Sequence, residues 1–233
     1  MADASFIIKE LQSVGTPEKA AILQRFFKTG PGQYGEGDVF LGVVVPHTRS
    51  IAKANIRTPF EEIAKLLHSQ YHEARLCALL ILVERFKKAP EKEREELFKF
   101  YLENTNYINN WDLVDLSAPK IVGEYLLEKD RSLLYRLAAS ESLWEQRIAI
   151  ISTLTFIRKH DFTDTIELSK RLLTHKHDLM HKAVGWMLRE TGKRDRKALT
   201  AFLEEFATTL PRTTLRYPIE HYPEPDRQYF LKK

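Results

Sequence analysis

Three stretches of the chain hold the residue types that could do chemistry on a charged ligand: NWDLVD at 110–115, WEQRIAI at 144–150 and HKAVGWMLRETG at 181–192. In the first, Trp111 and Asp115 are four residues apart, so a helix would place them on one face. In the third, Lys182, Trp186 and Arg189 fall at i, i+4 and i+7, opposite a natural core face of Ala183, Val184, Met187 and Leu188. Trp186 is then expected to point away from the core between two cations, with Gly185 beside it leaving the backbone accessible. Keeping an indole out of the core forgoes a few kcal/mol of burial, so its placement asks for a reason. In the middle stretch Arg147 follows Trp144 by three residues, on a face at least half buried. Cations of this kind suit phosphates, and flat π faces suit a sugar or a base edge. A carboxylate in basic surroundings repels phosphate, and makes sense where a positive charge on the ligand must be stabilised. Each residue also has an ordinary reading: tryptophans fill cores, Asp115 pairs with Arg147 or a lysine, and Lys182 and Arg189 are solvated helix charges.

The elements that must position these residues read as helices almost throughout. After residue 58 apolar residues recur at three-and-four spacing. Thr16-Pro17, Thr58-Pro59, Ala89-Pro90 and Asp161 to Asp164 mark helix starts. Only VFLGVVV, 39–45, is strand-like in composition, and one such run cannot make a sheet. GPGQYGEG, 30–37, reads as a loop. Longer helices begin near Tyr71, Asn110, Ser142 and Asp178, with shorter ones between, which is the period of HEAT-like or armadillo-like repeats. The expectation is an all-α, single-domain solenoid over 1–233: N-terminal helices and a Gly-rich loop in 1–57, then regular repeats in 58–233. Equivalent helices line one surface in such solenoids, so the three stretches should lie side by side.

Composition narrows the class. The chain has 233 residues, a net charge of +4 and 43% hydrophobic residues, which argues against disorder. Residues 120–200 carry 16 Lys/Arg against 11 Asp/Glu, whereas 1–46 carry 4 against 5, so a polyanion would favour the second half. No apolar run approaches a membrane span, MADASFIIKELQ lacks a signal-peptide layout, and a lone cysteine forms no internal disulfide. The expected compartment is therefore the cytoplasm. His68/His72 and His177/His181 have the i, i+4 spacing of zinc ligands. They lack the Glu of HExxH and any cysteine pair, so no metal is expected. GPGQYGEG lacks the Gly-Lys-Ser/Thr ending, so no nucleotide cofactor is expected. Cys77, inside LCALLILV, reads as core.

NNWDLVD, LWEQRIAI and HKAVGWMLRETG, in this order and spacing, resemble the AlkD-type DNA alkylation repair family. The likeness extends to FLGVVVPHTRSIAK at 40–53 and to LRYPIEHYPEPDRQ near the end. The resemblance implies a C-shaped solenoid of HEAT-like repeats with a concave DNA-binding face. It implies a monomeric, monofunctional DNA glycosylase that excises cationic N3- and N7-alkylpurines from duplex DNA without a cofactor. Asp115 then matches the family's catalytic aspartate, Trp111 and Trp186 its two cleft tryptophans, and Arg147 its arginine. Phe26 stands where the family often has a tyrosine, and is grouped with Arg147, Lys182 and Arg189 as a DNA contact. Two other readings of the scaffold are a non-catalytic binder of DNA structure and a protein-binding helical scaffold.

Overall fold

The computed structural model describes residues 2–233, and every named element in it is helical. It comprises two compact units, Met1–Ile121 and Val122–Lys233. The division falls within a π-helical segment, Pro119–Gly123, whereas the change of rhythm in the sequence falls at 57/58. No helix is long and apolar enough to cross a membrane among the described residues.

The first unit contains α1 (Ala4–Val14), α2 (Pro17–Phe26), α3 (Val45–Ala54), α4 (Phe60–Leu67), α5 (His72–Phe86), α6 (Glu91–Glu103) and α7 (Trp111–Ala118). HEARLCALLILVERF is apolar nearly all round, which suits a central helix. Every residue of α5 except Arg85 is buried, and the helix packs on α1, α3, α4, α6 and α7. Cys77 lies inside it, its thiol pushed up to about 12 by burial, so it is inert packing as expected. By contrast α2 buries none of its residues and leaves Ile22 and Phe26 exposed on one face.

The strand-like run 39–45 forms no strand. A single bridge joins Val39 to Tyr71, and Val45 already begins α3. The physical reason is an acceptor drawn from elsewhere. The buried Glu73 carboxylate takes the backbone N–H groups of Leu41 (2.9 Å), Gly42 (2.8 Å) and Val43 (3.0 Å), which a partner strand would otherwise have to satisfy. Gly42 has φ of +85°, and a Cβ there would lie 2.2 Å from the Thr16 carbonyl oxygen, so the run turns where only glycine fits.

The second unit contains α8 (Ser132–Ala138), α9 (Leu143–Ser152), α10 (Leu154–Arg158), α11 (Thr163–Arg171), α12 (Asp178–Arg194), α13 (Arg196–Phe206), α14 (Arg212–Arg216) and α15 (Glu224–Lys232). Here α12 is the hub, packing on α9, α10, α11, α13 and α14. The four starts read from the sequence hold: Tyr71, Asn110 and Ser142 are the residues that cap α5, α7 and α9, and Asp178 opens α12.

Glu73→Ala would strand three backbone donors, each costing about 1–3 kcal/mol when buried and unpaired. The expected result is a loss of at least about 3 kcal/mol in urea unfolding. A loss below about 0.5 kcal/mol would show that the 41–43 backbone does not depend on this carboxylate.

Candidate functional site

In the first unit the chemistry-bearing side chains sit on α7 and the end of α2. Asn110 caps α7, its side-chain oxygen accepting from the Trp111 N–H at 2.8 Å. Trp111 and Asp115 then occupy one half-exposed face, while Asp112, Leu113 and Val114 turn inward and are buried. The shared face expected from the four-residue spacing is present. Phe26, 61% exposed, joins it: its ring meets Trp111 edge-on with centroids 6.0 Å apart. The Gly30–Gly37 loop reaches the same place, the Tyr34 hydroxyl lying 3.5 Å from the Phe26 carbonyl oxygen. Burial pushes the Tyr101 phenol up, and the nearby Asp115 charge adds to the effect, so the phenol stays neutral beneath this face.

Beneath the indole lies a stack of rings that sequence reasoning did not find. Trp111 stacks on Phe27 at 5.2 Å, Phe27 on Phe40 at 5.0 Å, and Phe40 on the His72 imidazole at 4.5 Å. His72 is held between two buried carboxylates, Nδ1 at 3.0 Å from Asp38 and Nε2 at 2.8 Å from Asp112. Asp38 also accepts from Arg75, and from the Asn110 side-chain amide at 3.1 Å. Burial pulls the imidazole toward its neutral form, but Asp112 and Asp38 overcome it and push His72 up to about 9. Burial likewise raises Asp38, yet the His72 hydrogen bond and the Arg75 charge hold it below the usual carboxylate range. The centre is therefore a protonated imidazole clamped by two carboxylates, with an aromatic column stacked on it. His72 thus spends both ring nitrogens on carboxylates, and His68 faces Asn104 and stacks on the Tyr107 ring instead. A signal was available: Asp112 falls on the inward side of α7, and a buried carboxylate needs a cation or donors.

In the second unit, α12 presents Lys182, Trp186 and Arg189 away from its buried Ala183, Val184, Met187 and Leu188, as the spacing predicts. Each cation has a carboxylate partner, Lys182 with Asp178 at 2.7 Å and Arg189 with Glu220. Gly185 corrects the sequence reading. Its backbone is not open but covered: a Cβ would lie 2.8 Å from the Thr214 carbonyl oxygen and 2.9 Å from the Tyr217 Cβ. The glycine serves close packing of the 212–217 segment against α12. Arg147 also differs from a rim cation. It is 4% exposed and donates to the Leu179 carbonyl at 2.6 Å, fastening α9 to the start of α12, while Trp144 is half-buried. His177 caps α12, its Nδ1 accepting from the Leu179 N–H at 3.1 Å, and His181 turns to the His175 carbonyl.

Two outcomes follow. The His72 pKa is raised on folding, so its contribution is complete below about 6.5 and is lost as pH rises through about 9. Stability should fall across that window by roughly 3 kcal/mol, read from urea midpoints, and His72→Gln should flatten the profile. A parent protein equally stable at both ends would show that the imidazole is not held charged. Arg147→Ala should cost about 1–3 kcal/mol in stability by removing the buried bond that ties α9 to the start of α12, with an unchanged salt slope for any DNA binding. A slope lowered by about 0.9 would instead mark Arg147 as a phosphate contact.

A family model described as DNA alkylation repair enzyme matches residues 7–222. Among solved structures, the chain is similar to one titled "Predicted DNA alkylation repair enzyme from Enterococcus faecalis". The TM-score is 0.68 at 18% identity, with 90% of this chain and 97% of that chain covered. At that identity the likeness speaks to the fold, an all-α helical repeat. No curated protein matches.

Proposed function

This chain belongs to the DNA alkylation repair enzyme family, and on that premise we propose that it is a monofunctional glycosylase removing N3- and N7-alkylpurines from duplex DNA. The observation that supports this most is the half-exposed face of α7, where Asp115 stands one turn from Trp111. An N3- or N7-alkylated purine carries a positive charge, so its glycosidic bond is already weak. When that bond breaks, its electron pair goes to the base, which leaves neutral, and positive charge builds on the deoxyribose. The Asp115 carboxylate stabilises that oxocarbenium-like sugar and orients the water that adds to it, accepting its proton. The Trp111 indole offers its π surface to the same charge. Phe26, beside it, provides an apolar edge for the sugar, with no hydroxyl of its own. The leaving base needs no proton, so one carboxylate suffices and no lysine nucleophile is required. Trp186 and the cations Lys182 and Arg189 of α12 contact the same class of ligand from the second unit.

The buried clamp around His72 gives this reading its rigidity. Electrostatic stabilisation works only if the carboxylate is fixed before the charge appears. Asp112, on the same helix as Asp115, is locked to a charged imidazole, so α7 is fixed through Asp112.

Release of 7-methylguanine from methylated duplex DNA tests the proposal, wild type beside Asp115→Asn. Wild-type release with at least a tenfold loss in the variant, about 1.4 kcal/mol of barrier, is the expected outcome, duplex affinity changing little. Equal release by both would remove Asp115 from the mechanism. Duplex binding without release of 7-methylguanine, 3-methyladenine or bulkier adducts would point to a binder of DNA structure.

A further inference from the structure

Past Trp186, the end of α12 opens on a cavity of about 390 Å³, and of its lining residues only Arg189 has been given a role above. Arg189, Lys193, Arg194 and Arg196 line it, with His221 and Tyr222 from the segment after α14, and none of its lining residues is acidic. Lys193 stands at i+4 from Arg189 and i+7 from Trp186, so the cavity continues the stripe that presents the indole. Two carboxylates do engage these cations, but they do not line the cavity. Glu190 is shared, taking Lys193 at 2.7 Å and Arg194 at 3.1 Å, and Glu220 takes Arg189. Arg196 is different. It donates to the His221 carbonyl at 2.7 Å and lies over the Tyr222 ring at 4.7 Å, with no carboxylate at ion-pair distance among the described residues. One further donor is unused: the Nε of Arg189 is buried and has no hydrogen-bond acceptor. Four cations against two carboxylates, and an arginine compensated only by a carbonyl and a ring, define a site short of negative charge. Its missing partner is an oxyanion with several acceptor oxygens.

We propose that this cavity at the end of α12 binds a phosphate group of the nucleic-acid backbone, held chiefly by Arg196 and Lys193. The inference rests on the reading of duplex DNA as ligand and adds where a phosphodiester is gripped outside the residues assigned to the reaction. A backbone phosphate fits better than a free anion because the cavity lies in line with the exposed stripe of α12. A strand running along that stripe would present its phosphates in succession.

The test uses the full chain and a fluorescein-labelled undamaged 21-mer duplex, with anisotropy read from 50 to 300 mM salt. Lys193→Gln/Arg196→Gln should lower the log K against log salt slope by about 1.8, the value for two charges that each neutralise a phosphate. Lys170→Gln on α11, a paired cation away from the cavity, should leave the slope unchanged. Circular dichroism melts of the double variant should match the parent. Inorganic phosphate at low millimolar concentration should not displace the duplex; if it does so as readily as the substitutions weaken binding, the site is one for free phosphate. An unchanged slope in the double variant, or an equal fall in Lys170→Gln, overturns the proposal. A wild-type protein that binds no duplex overturns instead the functional reading on which it rests.

Discussion

The first turn of α5 holds the first unit together, and it does so with charge, not with apolar packing. Three of its first four residues reach out to one stretch of irregular chain. His72 binds Asp38, Arg75 binds Asp38 as well, and Glu73 gathers the N–H groups of Leu41, Gly42 and Val43. The backbone adds two bonds to the side chains, Val39 N–H to Gln70 and His72 N–H to the Val39 carbonyl. Buried charges are costly unless paired and hydrogen-bonded, and here each has a partner across the joint. The consequence extends to α7, because the second nitrogen of His72 holds Asp112. Loop, central helix and site helix are thereby fixed through one imidazole.

That arrangement explains how two carboxylates three residues apart on α7 differ in character. Asp112 faces the interior, where the imidazolium compensates it and it is unavailable to a ligand. Asp115, one turn later, is partly exposed on the face that carries Trp111. Three residues at about 100° each leave the two side chains about 60° apart around the axis, so Asp112 and Asp115 fall on either side of the boundary between joint and surface. The aromatic column gives the indole a similar double role. Phe27 covers one part of the Trp111 ring, and the charged His72 is the third ring below it. Stacking of this kind is worth about 0.5–1.5 kcal/mol per pair beyond burial, enough to order a half-exposed tryptophan.

What the sequence disclosed follows from this division. Spacing alone separated the buried Ala183, Val184, Met187 and Leu188 from Lys182, Trp186 and Arg189, because helical periodicity is a local property. It likewise put Trp111 beside Asp115 and located the starts of α5, α7, α9 and α12. The buried clamp escaped because its members, Asp38, His72, Arg75, Asn110 and Asp112, come from three separate parts of the chain. No local pattern links them, and the HSQYH spacing drew attention to His68 as the partner of His72. Gly185 was misread for a related reason. Beside an exposed indole a glycine suggests an open backbone, and only the long-range return of Thr214 and Tyr217 shows that the space is filled. Arg147 is a third instance: its buried bond to the Leu179 carbonyl spans α9 and α12, and helix spacing could place it only on a half-buried face.

The ion pairs along α12 do not cancel the phosphate contact proposed for it, as their magnitudes show. Pairs such as Lys182–Asp178 and Lys193–Glu190 are partly exposed, and pairs of that kind contribute about 0–1 kcal/mol because water and salt screen them. A cation that neutralises a backbone phosphate releases counterions condensed on the nucleic acid, which a lone carboxylate does not hold, and each such contact is worth about 0.9 log units of affinity per log unit of salt. One decade of salt therefore weighs about 1.2 kcal/mol per contact, comparable to the whole pair it replaces. Before exchange the carboxylate holds the long side chain in one direction, so part of the rotamer entropy, up to about 2 kcal/mol for Lys or Arg, is lost already. Pairing thus pre-orients a cation, but the pair must be broken and its carboxylate repels a phosphate, so an uncompensated cation such as Arg196 is the stronger contact. The shared use of Glu190 by two cations leaves that preparation cheapest to exchange at the end of the helix.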